Sequence, residues 1–69
     1  MTMITVSVNG ERKTFPKGIN IKEMLKELNF HNEWLGVAVN REFVPKDAFE
    51  ITHLKSGDEV DVLAPVSGG

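Results

Sequence analysis

The sequence predicts an α+β fold, in which one main helix lies across one face of a mixed β-sheet. Two observations predict it: segments that alternate apolar and polar residues occur near both ends of the chain, and one segment with helical periodicity lies between them. The chain has 69 residues, and a domain of this size buries only about 60% of the surface that the unfolded chain exposes. A deep enzyme pocket is therefore not expected.

The composition excludes several classes of function. Hydrophobic residues make up 41% and charged residues 26% of the chain, as in a folded soluble domain. The formal net charge is −2, and the basic residues form no stripe of the kind that binds nucleic acid. The absence of cysteine excludes disulfides, a thiol nucleophile and thiolate metal sites. Without a leader-like or membrane-spanning apolar run, we expect a cytoplasmic monomer that binds neither nucleic acid nor membranes.

The first part of the chain predicts a β-hairpin. Ile4, Val6 and Val8 share one face of the first strand, residues 3–8. The Asn9-Gly10 pair fits a tight type I′ turn, because both residues tolerate positive φ. The second strand then covers residues 11–15, and we expect Pro16 to stop it.

An amphipathic helix follows over about residues 20–30. Asn20 with Glu23 is typical of a capping box, and apolar residues recur at helical spacing. We expect this apolar stripe to pack on the sheet rather than to hold a cofactor, since so short a helix is not stable unburied. The stripe comprises Ile21, Met24, Leu25 and Leu28.

The second half returns to strands. A third strand is expected over 35–39, a turn at Asn40-Arg41, a brief return over 42–44, one helical turn over 46–49 and a last strand over 59–64. Val60, Val62 and Ala64 take the core face of the last strand. The order is ββαββ, and a right-handed crossover makes the first and last strands parallel central neighbours. This is the β-grasp (ubiquitin-like) arrangement, with a domain over 1–64 and a flexible tail over 65–69.

Few side chains suggest catalysis or metal binding. His31 and His53 lie on predicted loops without ligand spacing, so no metal site is assigned. Ser7, Ser56 and Ser67 have no neighbouring histidine to activate them. No catalytic residue is therefore assigned, and no cofactor is expected.

The outward face of the last strand suggests a docking surface. Leu63 is apolar, although it shares that face with Asp61 and Glu59, and with Phe43 or Trp34 it would form an exposed patch. Partner docking by Leu63, Asp61 and Phe43 is one interpretation. A single exposed leucine that needs no explanation is the other.

The Gly68-Gly69 terminus is the remaining candidate site. Two residues without Cβ atoms form the narrowest and most permissive backbone, which suits a tail that enters another enzyme's channel so that its carboxylate can be activated. Glycine-ended termini also occur by accident or as cloning scars. The position of the pair, directly after the last strand of a β-grasp body, favours the functional interpretation.

The chain resembles the prokaryotic ubiquitin-like sulfur carriers, and most closely their thiamine-biosynthesis (ThiS-type) branch. The resemblance spans essentially the whole chain and is densest in residues 37–45, in Ser56-Gly57-Asp58-Glu59-Val60 and in Val66-Ser67-Gly68-Gly69. The Val-Asn-x-x-x-Val-Pro run that begins at Val39 is similar to the thiamine branch in particular.

The resemblance implies a carrier that is a co-substrate and not an enzyme. An adenylating enzyme would use ATP and magnesium to convert the Gly69 carboxylate to an acyl-adenylate, and sulfur from a cysteine-desulfurase relay would then replace AMP. The resulting thiocarboxylate would donate sulfur to thiazole synthase for the thiazole ring of thiamine. Gly68, Ser67 and Val66 would be recognised as the tail.

Three alternatives stay open at this stage. The tail from Pro65 to Gly69 is also similar to the small, sulfur-carrying subunit of molybdopterin synthase, and carriers for tRNA thiolation or amino-acid synthesis share the outline. A ubiquitin-like modifier would join the same tail to lysines of other proteins. A plain binding module would not use its glycines at all.

Overall fold

A computed structural model of the chain describes residues 2–30 and 35–63. It confirms the α+β class and the β-grasp arrangement. Residues 42–44, which were expected only to pair back briefly, form a full strand, so the described residues after the helix contain three strands instead of the predicted two. The elements are β1 (Met3–Val8), β2 (Glu11–Pro16), α1 (Ile21–Glu27), β3 (Gly36–Val39), β4 (Glu42–Val44), a short 3-10 helix (Lys46–Ala48) and β5 (Glu59–Leu63).

The described strands form one sheet with the order β2-β1-β5-β3-β4. As predicted, β1 and β5 are parallel neighbours, paired through Ser7 with Glu59 and Val8 with Val60. The other three pairings are antiparallel. The strand that ends nearest the C-terminus is therefore the middle strand, and its main chain is bonded to a neighbour on each side.

The hydrophobic core lies between the sheet and α1. Ile21 and Met24 of the helix are fully buried, and Val6, Val37 and Val60 lie beneath them on three neighbouring strands. The remaining buried core residues are Ile4, Val8, Phe15, Ile19, Leu25, Val44, Phe49, Leu54 and Val62. Among the described residues no polar or charged side chain is buried, so the core that they form is entirely apolar.

Both hairpin turns use left-handed residues. Asn9 and Gly10 have φ angles of 50° and 86°, as the predicted type I′ turn requires. Asn40 and Arg41 have φ angles of 52° and 68° in the turn between β3 and β4. Asparagine tolerates this region well, whereas arginine does so only at a cost in free energy.

The predicted capping box begins the helix. Asn20 Oδ1 accepts a hydrogen bond from the Glu23 amide at 2.8 Å, and the Asn20 amide donates to Glu23 Oε1 at 3.2 Å.

An exposed ion pair joins the helix to the segment after the 3-10 helix. Lys22 Nζ lies 2.8 Å from Glu50 Oε1. That hydrogen bond, and then the attraction between the two charges, raises the pKa of Lys22 and lowers the pKa of Glu50. The pair is solvent-exposed, so it adds little stability.

The helix is shorter than the predicted range of about 20–30, because it ends at Glu27 with Leu28 as its C-cap. Asn29 has a φ of 62°, which turns the chain out of the helix. The Phe30 amide donates to the Leu25 carbonyl at 2.9 Å and the Asn29 amide to the Lys26 carbonyl at 3.1 Å. These two bonds define a Schellman motif, so the prediction was wrong about the last turn of the helix.

Another predicted boundary differs in the structure, and two expected features lie outside the described residues. Pro16 does not stop β2 but forms its last residue, opposite Met3. An edge strand tolerates proline there, because the missing N–H leaves no gap in an interior ladder. The expected connection at His31 to Glu33 and the expected core position of Ala64 lie outside the described residues.

Asn29→Ala is expected to destabilise the domain by about 1 kcal/mol, because the left-handed backbone conformation costs alanine more free energy than asparagine. Asn29→Gly removes this penalty and should be at least as stable as the wild type. Urea unfolding followed by circular dichroism measures both variants. An Asn29→Ala variant with the same free energy of unfolding as the wild type would contradict the assigned helix end.

Candidate functional site

Two large apolar side chains lie on either side of β3 on the outer face of the sheet, opposite α1. Phe43 on β4 is 72% exposed and Leu63 on β5 is 71% exposed. Between them β3 presents only Gly36 and Ala38. We call these four residues the outer apolar patch. The exposure expected for Leu63 and Phe43 is thus confirmed, whereas Trp34 lies outside the described residues.

The strand register gives the patch its shape. Ala38 pairs with Phe43 on one side and Asp61 on the other, and Gly36 pairs with Leu63. A Cβ added to Gly36 would lie 3.9 Å from the Leu63 Cβ, so this position has room for one more carbon atom. Small residues flanked by two large ones make a shallow depression, into which a partner's apolar side chain could pack.

Acidic side chains border the patch. Asp61 lies in the same cross-strand row as Ala38 and Phe43 and is exposed. Glu59, two residues before Asp61 on the same face of β5, is also exposed. An apolar centre with an acidic border favours a partner that offers an apolar side chain and basic residues around it.

Asn40 holds the patch in place. Its amide donates to the Glu59 carbonyl at 2.7 Å, and its Oδ1 accepts from the Glu59 amide at 3.0 Å. Its Nδ2 also donates to Asp58 Oδ1 at 3.0 Å. The turn that precedes Phe43 is therefore tied to the beginning of β5. The sequence placed Asn40 in a turn and in the run that resembles the thiamine branch, but it did not predict these bonds, because nothing local shows which strand lies beside that turn.

The other sequence candidates lie elsewhere. Val66, Ser67, Gly68, Gly69 and His31 are outside the described residues. His53 is exposed, and its Nδ1 is 2.8 Å from the Gly18 carbonyl oxygen. In residues 2–30 and 35–63, no group of three or more His, Cys, Asp or Glu side chains could hold a metal ion. Within those same ranges, no helix is long and apolar enough to cross a membrane.

Comparisons with known proteins agree with this architecture. A sequence profile described as the ThiS family matches residues 6–69. The crystal structure of the thiamine biosynthesis protein (ThiS) from Geobacter metallireducens superposes with a TM-score of 0.82 at 32% identity, covering 96% of this chain and 100% of that one. A solution NMR structure of a thiamine biosynthesis protein from the same organism gives 0.81 at 32% identity, covering 96% and 88%.

Two relatives extend the comparison. An uncharacterized protein, ycf40, of Pyropia yezoensis is 32% identical over 66 residues, which are 96% of this chain and 93% of that protein. A thiazole synthase of Paramagnetospirillum magneticum is 29% identical over 62 residues, which are 90% of this chain. The chain spans only 19% of the length of that synthase.

The sheet order and the position of the helix define a member of the ubiquitin-like β-grasp class. This chain belongs to the ThiS family. It is accordingly a sulfur carrier of thiamine biosynthesis rather than an enzyme, which confirms both predictions at that level.

Threonine substitutions on β5 test the assigned faces while they preserve strand propensity. Leu63→Thr should change the free energy of unfolding by no more than about 0.5 kcal/mol, because the side chain is exposed. Val60→Thr should cost about 1–3 kcal/mol, because it places a hydroxyl in the core. Urea unfolding measures both. Equal losses would contradict the outward direction of Leu63.

Proposed function

We propose that this chain carries sulfur as a thiocarboxylate on Gly69 and donates it for formation of the thiazole ring of thiamine. The observation that carries the proposal is the extent of the family match, which runs through residue 69 and so includes the Gly68-Gly69 terminus. The chain contains no cysteine. A carrier without a thiol therefore has its terminal carboxylate as the group to load.

The chemistry explains why activation must come from a partner. A carboxylate is a poor electrophile, so a Gly69 oxygen first attacks the α-phosphate of ATP on an adenylating enzyme, and pyrophosphate leaves. A sulfur nucleophile then attacks the acyl carbon of the adenylate, and AMP leaves. With hydrogen sulfide as the nucleophile one proton is also released, and the product is the thiocarboxylate. In the cell, a cysteine-desulfurase relay would supply this sulfur as a protein persulfide. Its terminal sulfur attacks the acyl carbon as AMP leaves, and a second thiol of the relay then cleaves the S–S bond, which leaves the thiocarboxylate and a disulfide.

In this proposal the tail and the outer apolar patch bind the partner at different places. Val66, Ser67 and Gly68 enter the partner's channel, where residues without large side chains let Gly69 reach the reacting atoms. The outer apolar patch and Asp61 dock the body of the carrier. Exposed Phe43 and Leu63 are suited to this role, since a few large side chains supply most of the binding energy of an interface.

The proposed acceptor is thiazole synthase. In the Paramagnetospirillum magneticum relative, the segment similar to this chain is part of a protein that is itself called a thiazole synthase. A carrier-like segment joined to the synthase supports a partnership between the two functions.

Removal of Gly69 should abolish loading without loss of folding, because glycine has no side chain that could contribute to a hydrophobic core. The test incubates the chain with its adenylating enzyme, ATP, magnesium and sulfide, and records the intact mass. We expect one oxygen of the wild type to be exchanged for sulfur and no exchange in the shortened chain. Circular dichroism verifies that both are folded, and an unchanged wild-type mass would contradict the proposal.

Threonine substitutions at Phe43 and Leu63 should each lower kcat/KM for loading by about tenfold or more, as expected when a central interface side chain is lost. Ile51→Thr is the matched control, because Ile51 is 76% exposed and lies outside the patch. Steady-state kinetics with the adenylating enzyme measure all three. Equal effects at Ile51 and Leu63 would show that the patch is not the docking surface.

A further inference from the structure

The end of β5 lacks a paired strand on one side. β1 pairs with β5 only as far as Val8 with Val60, and the chain then turns away at Asn9-Gly10. On the other side, β3 continues to pair through Gly36 with Leu63. The last part of β5, from which the tail continues, would therefore be held by β3 alone.

Asn9 supplies the missing contact. Its amide donates to the Val60 carbonyl at 2.9 Å, and its side-chain Oδ1 accepts from the Val62 amide at 2.8 Å. In a parallel ladder, a residue that donates to one carbonyl accepts, through its own carbonyl, from the N–H two residues further along. At Asn9 the main chain has already entered the left-handed turn, and the side-chain oxygen accepts the hydrogen bond from the Val62 amide. The side chain thereby extends the ladder by one hydrogen bond.

We propose that Asn9 is a positioning residue that fixes the direction in which the reactive tail leaves the sheet. Leu63 docks on the partner, Val62 precedes it, and the six residues after Leu63 end at Gly69. A fixed end of β5 lowers the ordering cost of placing the tail in the channel once the body has docked. This role rests on the proposed function, which it deepens.

Asparagine meets two requirements at this position. It tolerates the left-handed backbone, and it supplies an acceptor to a part-buried amide that would otherwise lack one. Aspartate meets both requirements. Glycine meets only the first, so Asn9→Gly removes the hydrogen bond without strain in the turn.

Asn40 provides a matched control within the same chain. It too has a left-handed backbone in a hairpin turn, and its Oδ1 accepts from an amide of β5. That amide belongs to Glu59, at the beginning of the strand. Asn9 and Asn40 thus make similar bonds to opposite ends of β5, and only the bond of Asn9 is made at the end that leads toward residue 64.

The experiment measures loading of the full chain by its adenylating enzyme with ATP and sulfide, together with amide hydrogen exchange by NMR. Asn9→Gly should lower kcat about threefold to tenfold, the loss expected for one hydrogen bond, with little change in KM. The exchange of the Val62 amide should rise. Asn9→Asp should restore both values. Asn40→Gly should speed exchange at Glu59 and, because it loosens the turn that precedes Phe43 in the docking patch, should raise KM while kcat stays near that of the wild type.

Equal losses of kcat in Asn9→Gly and Asn40→Gly would overturn the proposal, because a general loss of order in β5 would then explain both. A wild-type kcat in Asn9→Gly with faster Val62 exchange would also overturn it. So would an unprotected Val62 amide in the wild type, a result that does not depend on whether the variants fold. A wild type that is never loaded would instead refute the proposed function, and with it this role.

Discussion

The parallel pairing of β1 with β5 is the interaction on which the rest of the structure depends. It joins the two ends of the described chain and makes β5 the middle strand of the sheet. Because side chains alternate along a strand, β5 then directs Val60 and Val62 into the core and Asp61 and Leu63 outward. One strand therefore contributes to stability, carries Leu63 of the proposed docking surface and leads toward the tail.

Side chains of the two hairpin turns make hydrogen bonds to β5 in addition to those of the neighbouring strands. Each turn contains a left-handed asparagine whose side-chain oxygen accepts an amide hydrogen of β5, from Val62 at one end and Glu59 at the other. Such bonds contribute modestly to stability, but leaving a shielded amide without a partner is costly. They make the geometry of β5 depend on the turns, so order in the body can affect delivery of the tail.

Sequence patterns predicted the parallel pairing of β1 with β5 and most turns and caps, but they missed the helix end and the side-chain hydrogen bonds that the turns make to β5. The Asn9-Gly10 turn, the capping box at Asn20 and the exposure of Leu63 follow from neighbouring residues alone. The helix end at Asn29 was missed, because asparagine marks a C-terminus less clearly than glycine does. The bond from Asn9 to Val62 spans 53 positions and exists only once the register of β1 and β5 is fixed. Residue types alone could not reveal it.

Sulfur transfer to the thiazole ring tests the account most directly. The carrier is loaded on Gly69 with a heavy isotope of sulfur, freed of unreacted sulfide and mixed with thiazole synthase and its other substrates in a single turnover. The account predicts that the isotope appears in the thiazole product as it disappears from the carrier. Thiazole without the isotope, or transfer only to a molybdopterin precursor in a parallel reaction with that synthase, would contradict it.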